Sequence, residues 1–320
     1  MAPALSILDL AHVGPGESAR DSFAASVTLA RRAEELGFLR VWYAEHHNMP
    51  SIASSATSVL IAHVAAHTST IRLGAGGIML PNHAPLTIAE QFGTLETLHP
   101  GRIDLGLGRA PGTDQATLRA LRRTPETSDA FPEDVLELQG YLRGESRIPG
   151  VDAIPGKGTD VPLYILGSSL FGARLAALLG LPYAFASHFA PAALEEAVRV
   201  YRAEFRASAQ LAEPYVIAGV NVVAADTEQE AQEQFLAAKR WRVSRFLRQD
   251  FSDAEADAVL AAPAGQQFLQ MTRYTAVGTR QQVRDYLDRF AELADADELI
   301  VVSSAPDRKA WLRSIELIAG

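Results

Sequence analysis

The residues best equipped for chemistry in this chain are Glu45, His46, His47 and Asn48, which follow directly on the apolar and aromatic run at 39–44. A buried strand that delivers a carboxylate, two imidazoles and an amide at its C-terminal edge is what an α/β barrel needs to build a site. Successive strand residues point to opposite faces, so Glu45 and His47 share one side and His46 takes the other. His46 is assigned to face a cofactor and act on it, with Glu45 and Asn48 in the surrounding pocket. The alternative is that these side chains only satisfy one another at the rim of a sheet. His46 and His47 are neighbours in sequence, a poor arrangement for binding one ion, and no metal site is expected.

Three more strand-like runs end in comparable signals: Gly76-Gly77, Gly108-Arg109 and Ser168-Ser169. Glycines at a strand end mark either a tight barrel corner or a bare wall that a flat ring can approach. Arg109 offers several donors in a plane and a permanent charge, suited to the electron-rich edge of a flavin pyrimidine, a phosphate or a rim salt bridge. In Gly167-Ser168-Ser169-Leu170-Phe171-Gly172, free N–H groups at a helix start beside two hydroxyls make an anion cradle. Simple N-capping by either serine is the plainer reading. Neither Gly-x-Gly-x-x-Gly nor a Walker A loop is present. His83, in Pro81-Asn82-His83-Ala84-Pro85, and His188 either line the pocket or are solvated loop residues; His99, before Pro100-Gly101, reads as a turn residue.

Strand-like runs at 5–10, 39–48, 71–78, 103–109, 161–167, 183–187, 215–223 and 299–303 alternate with helical patterns, eight strands in all. That alternation predicts a parallel sheet, and closure into a (β/α)8 barrel is the economical outcome. A long helical pattern at 226–248 and an irregular one at 253–270 predict a helical insertion near strands seven and eight, with 250–270 as a candidate lid. A doubly wound sheet capped by 226–270 is the structural alternative. The chain of 320 residues reads as one domain, 1–320, with 48% apolar residues to fill its core. A net charge of -9 argues against nucleic acid or an anionic membrane as the main partner. The absence of cysteine removes disulfides, thiolate metal sites and a cysteine nucleophile. No run approaches the roughly 20 apolar residues of a membrane span, and no signal peptide is read, so a cytoplasmic location is expected.

These motifs together resemble the bacterial-luciferase-like flavin-dependent monooxygenases, in particular their small single-chain, non-luminescent members. The resemblance runs through 44–48, 71–81, 99–109 and 167–173, with Gly180-Leu181-Pro182, in one order along most of the chain. It implies a (β/α)8 barrel, usually a homodimer, that takes reduced FMN from a separate flavin reductase. It implies a reaction with dioxygen through a C4a-peroxyflavin that oxygenates a small organic substrate, an aldehyde being one candidate. His46 matches the family's catalytic histidine, and Gly76-Gly77 match a pair often joined by a cis peptide under the flavin ring. Arg109 matches a residue at the pyrimidine edge, and Ser169 one at the phosphate, with Ser168 and Gly172 beside it. Two positions depart from the pattern: Gly108 stands where luciferase has a reactive cysteine, and Gly172 where a hydroxyl residue often helps hold the phosphate. The rivals are an F420-dependent oxidoreductase of the same fold, a non-catalytic flavin-binding protein and a metal-dependent barrel hydrolase.

Overall fold

The computed structural model describes residues 3–110, 114–247, 249–305 and 307–319. The chain runs β1 (Ala4–Asp9), α1 (Ala19–Leu36), β2 (Arg40–Tyr43), α2 (Thr57–Ala65), β3 (Arg72–Met79), α3 (Pro85–Leu98) and β4 (Ile103–Gly108). It continues through α4 (Gln115–Ala120), α5 (Phe131–Arg143), β5 (Leu163–Gly167), α6 (Leu170–Leu179), β6 (Tyr183–Phe185), α7 (Leu194–Glu204) and β7 (Val216–Ala224). Last come α8 (Glu228–Leu247), α9 (Asp253–Ala261), α10 (Pro263–Gln270), β8 (Thr275–Gly278), α11 (Arg280–Ala294), β9 (Glu298–Ser303) and α12 (Arg308–Ile318).

The strands pair in parallel in the order β1-β2-β3-β4-β5-β6-β7-β9, and β9 returns to β1. The sheet therefore closes into an eight-stranded (β/α)8 barrel. Closure also rules out the doubly wound alternative, whose open sheet would leave two edges. Strand β8 was not expected. It pairs with residues 221–224 of β7, while β6 occupies 216–218 on the same strand, so β7 carries two partners in succession. Four residues of mixed character give no usable alternation, and Gly278 ends this strand. Helix α4 was missed in a stretch read as loose; Asp114 starts it by accepting from the N–H of Thr117.

Local signals set the other boundaries. Ser18 is the N-cap of α1, and Asp21 answers it in a capping box. Gly37 ends that helix in the left-handed region at φ 80. The insertion at 250–270 is the pair α9 and α10, divided where Pro263 removes an N–H. It packs on α8 through Val243, Ala256 and Leu260, and Arg240 pairs with both Asp253 and Asp257. Residue 248, where the long helical pattern was taken to end, lies outside the described residues. Among the described residues no helix is long and apolar enough to cross a membrane.

Strand parity divides the core. Outward residues such as Ile7, Val41, Leu73, Leu105, Ile165, Val220 and Val301 pack against the helices. Leu8, Trp42, Ala44, Tyr164, Ala184, Ile217, Ile300 and Val302 fill the barrel axis. Below them, at the N-terminal ends of the strands, the axis is polar. Arg40 donates to Asp104 at 2.8 Å and to Glu298 at 3.1 Å, and all three are buried. Tyr164, Trp42 and Arg72 add hydrogen bonds to this pair of carboxylates and their arginine, and Ser6 and Tyr215 bond Glu298. Buried charges of this kind hold only while each has its partner. Arg40→Met is expected to lower unfolding stability by about 3–5 kcal/mol, and the half-exposed Arg72→Met by clearly less. Urea denaturation of both variants checks this; similar small losses would contradict the plug.

Candidate functional site

The barrel's open end is its C-terminal face, where the inward positions of the strands continue past the sheet. Strand β2 stops at Tyr43, and the next residues climb the same wall. Ala44 is still packed on the barrel axis, held from Ser54, whose hydroxyl donates to its carbonyl. The Glu45 N–H donates to the Gly77 carbonyl at 3.3 Å, so the two strand ends stay joined at the mouth. The peptide between Gly76 and Gly77 is cis, and the pairing register with β4 shifts between Ala75 and Ile78. A Cβ on Gly76 would stand 2.9 Å from Leu8 Cδ1 and from Trp42 Cβ; one on Gly77 would stand 2.6 Å from the Gly106 carbonyl. Only glycines fit, and the strand end offers backbone to the mouth in place of side chains.

Glu45 is buried and organises the loop after β3. It accepts from Met79 N–H at 3.0 Å and bonds His47 Nε2 at 2.7 Å and His83 Nε2 at 2.9 Å. Burial pushes its carboxyl up, but the bonds from His47 and His83 prevail and hold it down at about 2. The Glu45 hydrogen bond raises His47 in turn. Ligand atoms of Glu45, His47 and His83 lie within 4.8 Å of one another, a spacing a cation can also use. The direct hydrogen bonds already engage those atoms. Asn48 sits exposed at φ 55 and donates to Asp114 at 3.0 Å, tying this loop to the start of α4.

His46 is left out of that web. Strand parity sets Glu45 and His46 apart, and no hydrogen bond joins them; Glu45 bonds His47 and His83. His46 Nδ1 is buried with no hydrogen-bond partner. Burial lowers its pKa, which keeps the ring neutral near neutrality. His188 lies over Gly219 of β7, where a Cβ would strike its Nδ1. Burial first, then the charge of Arg242, lowers His188 to about 3. Thus His46 and His188 share the mouth, while His83 belongs to the Glu45 web.

The fifth strand leads to the stretch read as an anion cradle. Ser169 is the N-cap residue of α6, yet its hydroxyl makes no capping bond, which removes the plainer reading for that serine. Ser168 and Ser169 are exposed, and the first N–H groups of α6 point to the same opening. Gly172 is buried, with its Cα facing that of Gly167; an added Cβ would stand 3.3 Å from Tyr183 Cε2, so glycine lets α6 sit close on β5. The Arg109 guanidinium stacks 4.1 Å from the Phe171 ring centre, which places its charge at this helix start. Sequence reasoning missed His12, Asn221, Arg242 and Ser304, which also meet at the mouth. Parity along β7 and β9 marks 221 and 304 as inward, but nothing in the pattern of α8 singles out Arg242.

The Glu45 web has a pH signature. With an ordinary value of 4.5 and a folded value of about 2, its contribution is complete above pH 4.5 and is lost as pH falls toward 2. Glu45→Gln should cost on the order of 2–3 kcal/mol near neutrality, and the gap from wild type should narrow at about pH 3. Urea unfolding at both pH values measures it; a gap independent of pH contradicts the assignment.

A family model described as luciferase-like monooxygenase matches residues 4–297. A "Luciferase-like monooxygenase" of Escherichia coli (strain K12) is 48% identical, over 98% of this chain and 95% of its own. The "N-acetyl-S-alkylcysteine monooxygenase" of Bacillus subtilis (strain 168) is 34% identical, over 91% of this chain and 81% of its own. The crystal structure of apo-MsnO8 superposes with a TM-score of 0.90 at 36% identity, covering 99% of this chain and 96% of that one. On its barrel, its site and these matches, the chain belongs to the luciferase-like monooxygenase family.

Proposed function

We propose that this protein is an FMN-dependent monooxygenase that receives reduced FMN from a separate reductase and oxygenates a small organic substrate. The observation that carries the reading is the buried, unpartnered Nδ1 of His46, which follows β2, the strand paired with the β3 that carries Gly76-Gly77. Ser168, Ser169, the α6 N–H groups and Arg109 suit a phosphate. Gly76 and Gly77 suit one face of a planar ring. The flavin, when bound, supplies the reducing power that activates dioxygen. His46 then has one task, holding or moving a proton at the reacting edge, and a neutral imidazole with a free Nδ1 can do either. The web around Glu45 keeps the neighbouring loop in place while His46 stays uncommitted.

Activity should fall as pH drops below 6.5, because burial lowers the His46 pKa from that ordinary value and the neutral ring is lost only on its acid side. His46→Ala should keep reduced FMN within about twofold and lose roughly 10²–10⁴ in turnover. Stopped-flow mixing with oxygenated buffer provides the test. Wild type should show a delay between oxygen uptake and the return of oxidised-flavin absorbance, shortened in the variant. Immediate return in both proteins, or hydride transfer with F420 in place of oxygen uptake, would overturn the reading.

A further inference from the structure

Strands β7 and β9 carry a second polar constellation, separated from the β5 cradle by β6 in the order around the barrel. Asn221 is fully buried, and its amide nitrogen donates to the His188 carbonyl at 2.6 Å. Arg242 reaches over it from α8. Its Nη2 donates to Asn221 Oδ1 at 3.1 Å and to Ser304 Oγ at 2.8 Å. Both partners are neutral. Among the described residues no carboxylate pairs with this guanidinium, whereas Arg240 and Arg308 nearby have Asp257 and Glu17.

The surroundings do not supply the missing charge. His12 and His188 face Arg242, each with a buried Nδ1 that has no partner. Burial, reinforced by Arg242, holds them to about 4 and about 3, so both are neutral. A cavity of about 160 Å³ reaches Arg242 past His12, Trp241 and Ser304. Its carboxylates are already engaged: Asp9 by Ser26 and the Ala11 N–H, Glu17 by Arg308, and Asp307 as the cap of α12. A guanidinium keeps its charge, and one held partly out of water by neutral partners is costly without a counter-ion. The fold has left that place open.

We propose that Arg242, carried by Asn221 and Ser304, seats an anionic group of the organic substrate, a carboxylate or comparable oxyanion. His188 lines the seat, since a neutral imidazole carrying its proton at Nδ1 donates to such an oxygen, and His12 adds an uncharged wall. This inference rests on reading the mouth as a monooxygenase site and narrows its substrates to small acids. The flavin phosphate has its own cradle at α6, so the two anions enter from different sides of the mouth.

Isothermal titration of the full-length protein with benzoate and with benzamide, its neutral counterpart of the same shape, tests the seat without flavin or turnover. Failure of the flavin reading therefore leaves this measurement intact. Wild type should prefer benzoate by about tenfold or more, Arg242→Gln should abolish the preference, and Arg242→Lys should keep part of it. Equal binding of both probes by wild type, no benzoate binding at millimolar concentration, or a preference that survives in Arg242→Gln overturns it. A tenfold loss of reduced-FMN affinity in Arg242→Gln, with the benzoate preference unchanged, would assign the guanidinium to the flavin and equally overturn it.

Discussion

The Arg40 guanidinium, neutralised by Asp104 and Glu298 inside the barrel, is the constraint on which the arrangement depends. A barrel of eight strands has just enough room on its axis for side chains, and something must fill its lower end without leaving a polar group unpaired. Here strands β2, β4 and β9 each contribute one charge to the same place, with β1 and β5 adding hydroxyls. That joins strands far apart in sequence around one centre. Arg40, Asp104 and Glu298 are all buried there, so that end of the axis is filled by side chains.

From that layer upward, strand parity does the positioning. Arg40, Trp42 and Ala44 point inward in turn, and His46 follows them. Tyr164 and Leu166 lead to Ser168 in the same way, and Ile217 and Gly219 lead to Asn221. The apolar layer around Trp42 and Ile300 separates the charged floor from the mouth, so polar groups above it are not neutralised by those below. Residues that break the strand geometry do the rest. Glycines at 76 and 77 remove side chains where the wall must be bare, and Glu45, turned to the other side, secures the following loop.

Much of this was readable in the sequence because parity and strand-end chemistry are local signals. The strand–helix alternation led to the barrel, and Glu45-His46-His47 with Gly76-Gly77 located its mouth. What escaped depended on distance. Parity put Glu45 on the side of His47, where the two are bonded, but the pairing of Glu45 with His83 joins two strand ends and could not be seen in either alone. Arg242 sits in a helix whose pattern has no strong apolar face, and only the folded chain brings it over Asn221. β8 escaped because four residues are too few for a period to show. The floor around Arg40 was equally silent: an arginine, an aspartate and a glutamate spread over most of the chain carry no motif.

Under the proposed function, the plugged barrel opens onto a seat for reduced flavin. Anaerobic titration of the protein with reduced FMN, followed by tryptophan fluorescence, addresses it most directly. Binding should be saturable and one-to-one, tighter than for F420, and weakened when Arg109 or Ser169 is replaced by alanine. Binding that does not saturate, or that favours F420 and ignores both substitutions, would contradict it.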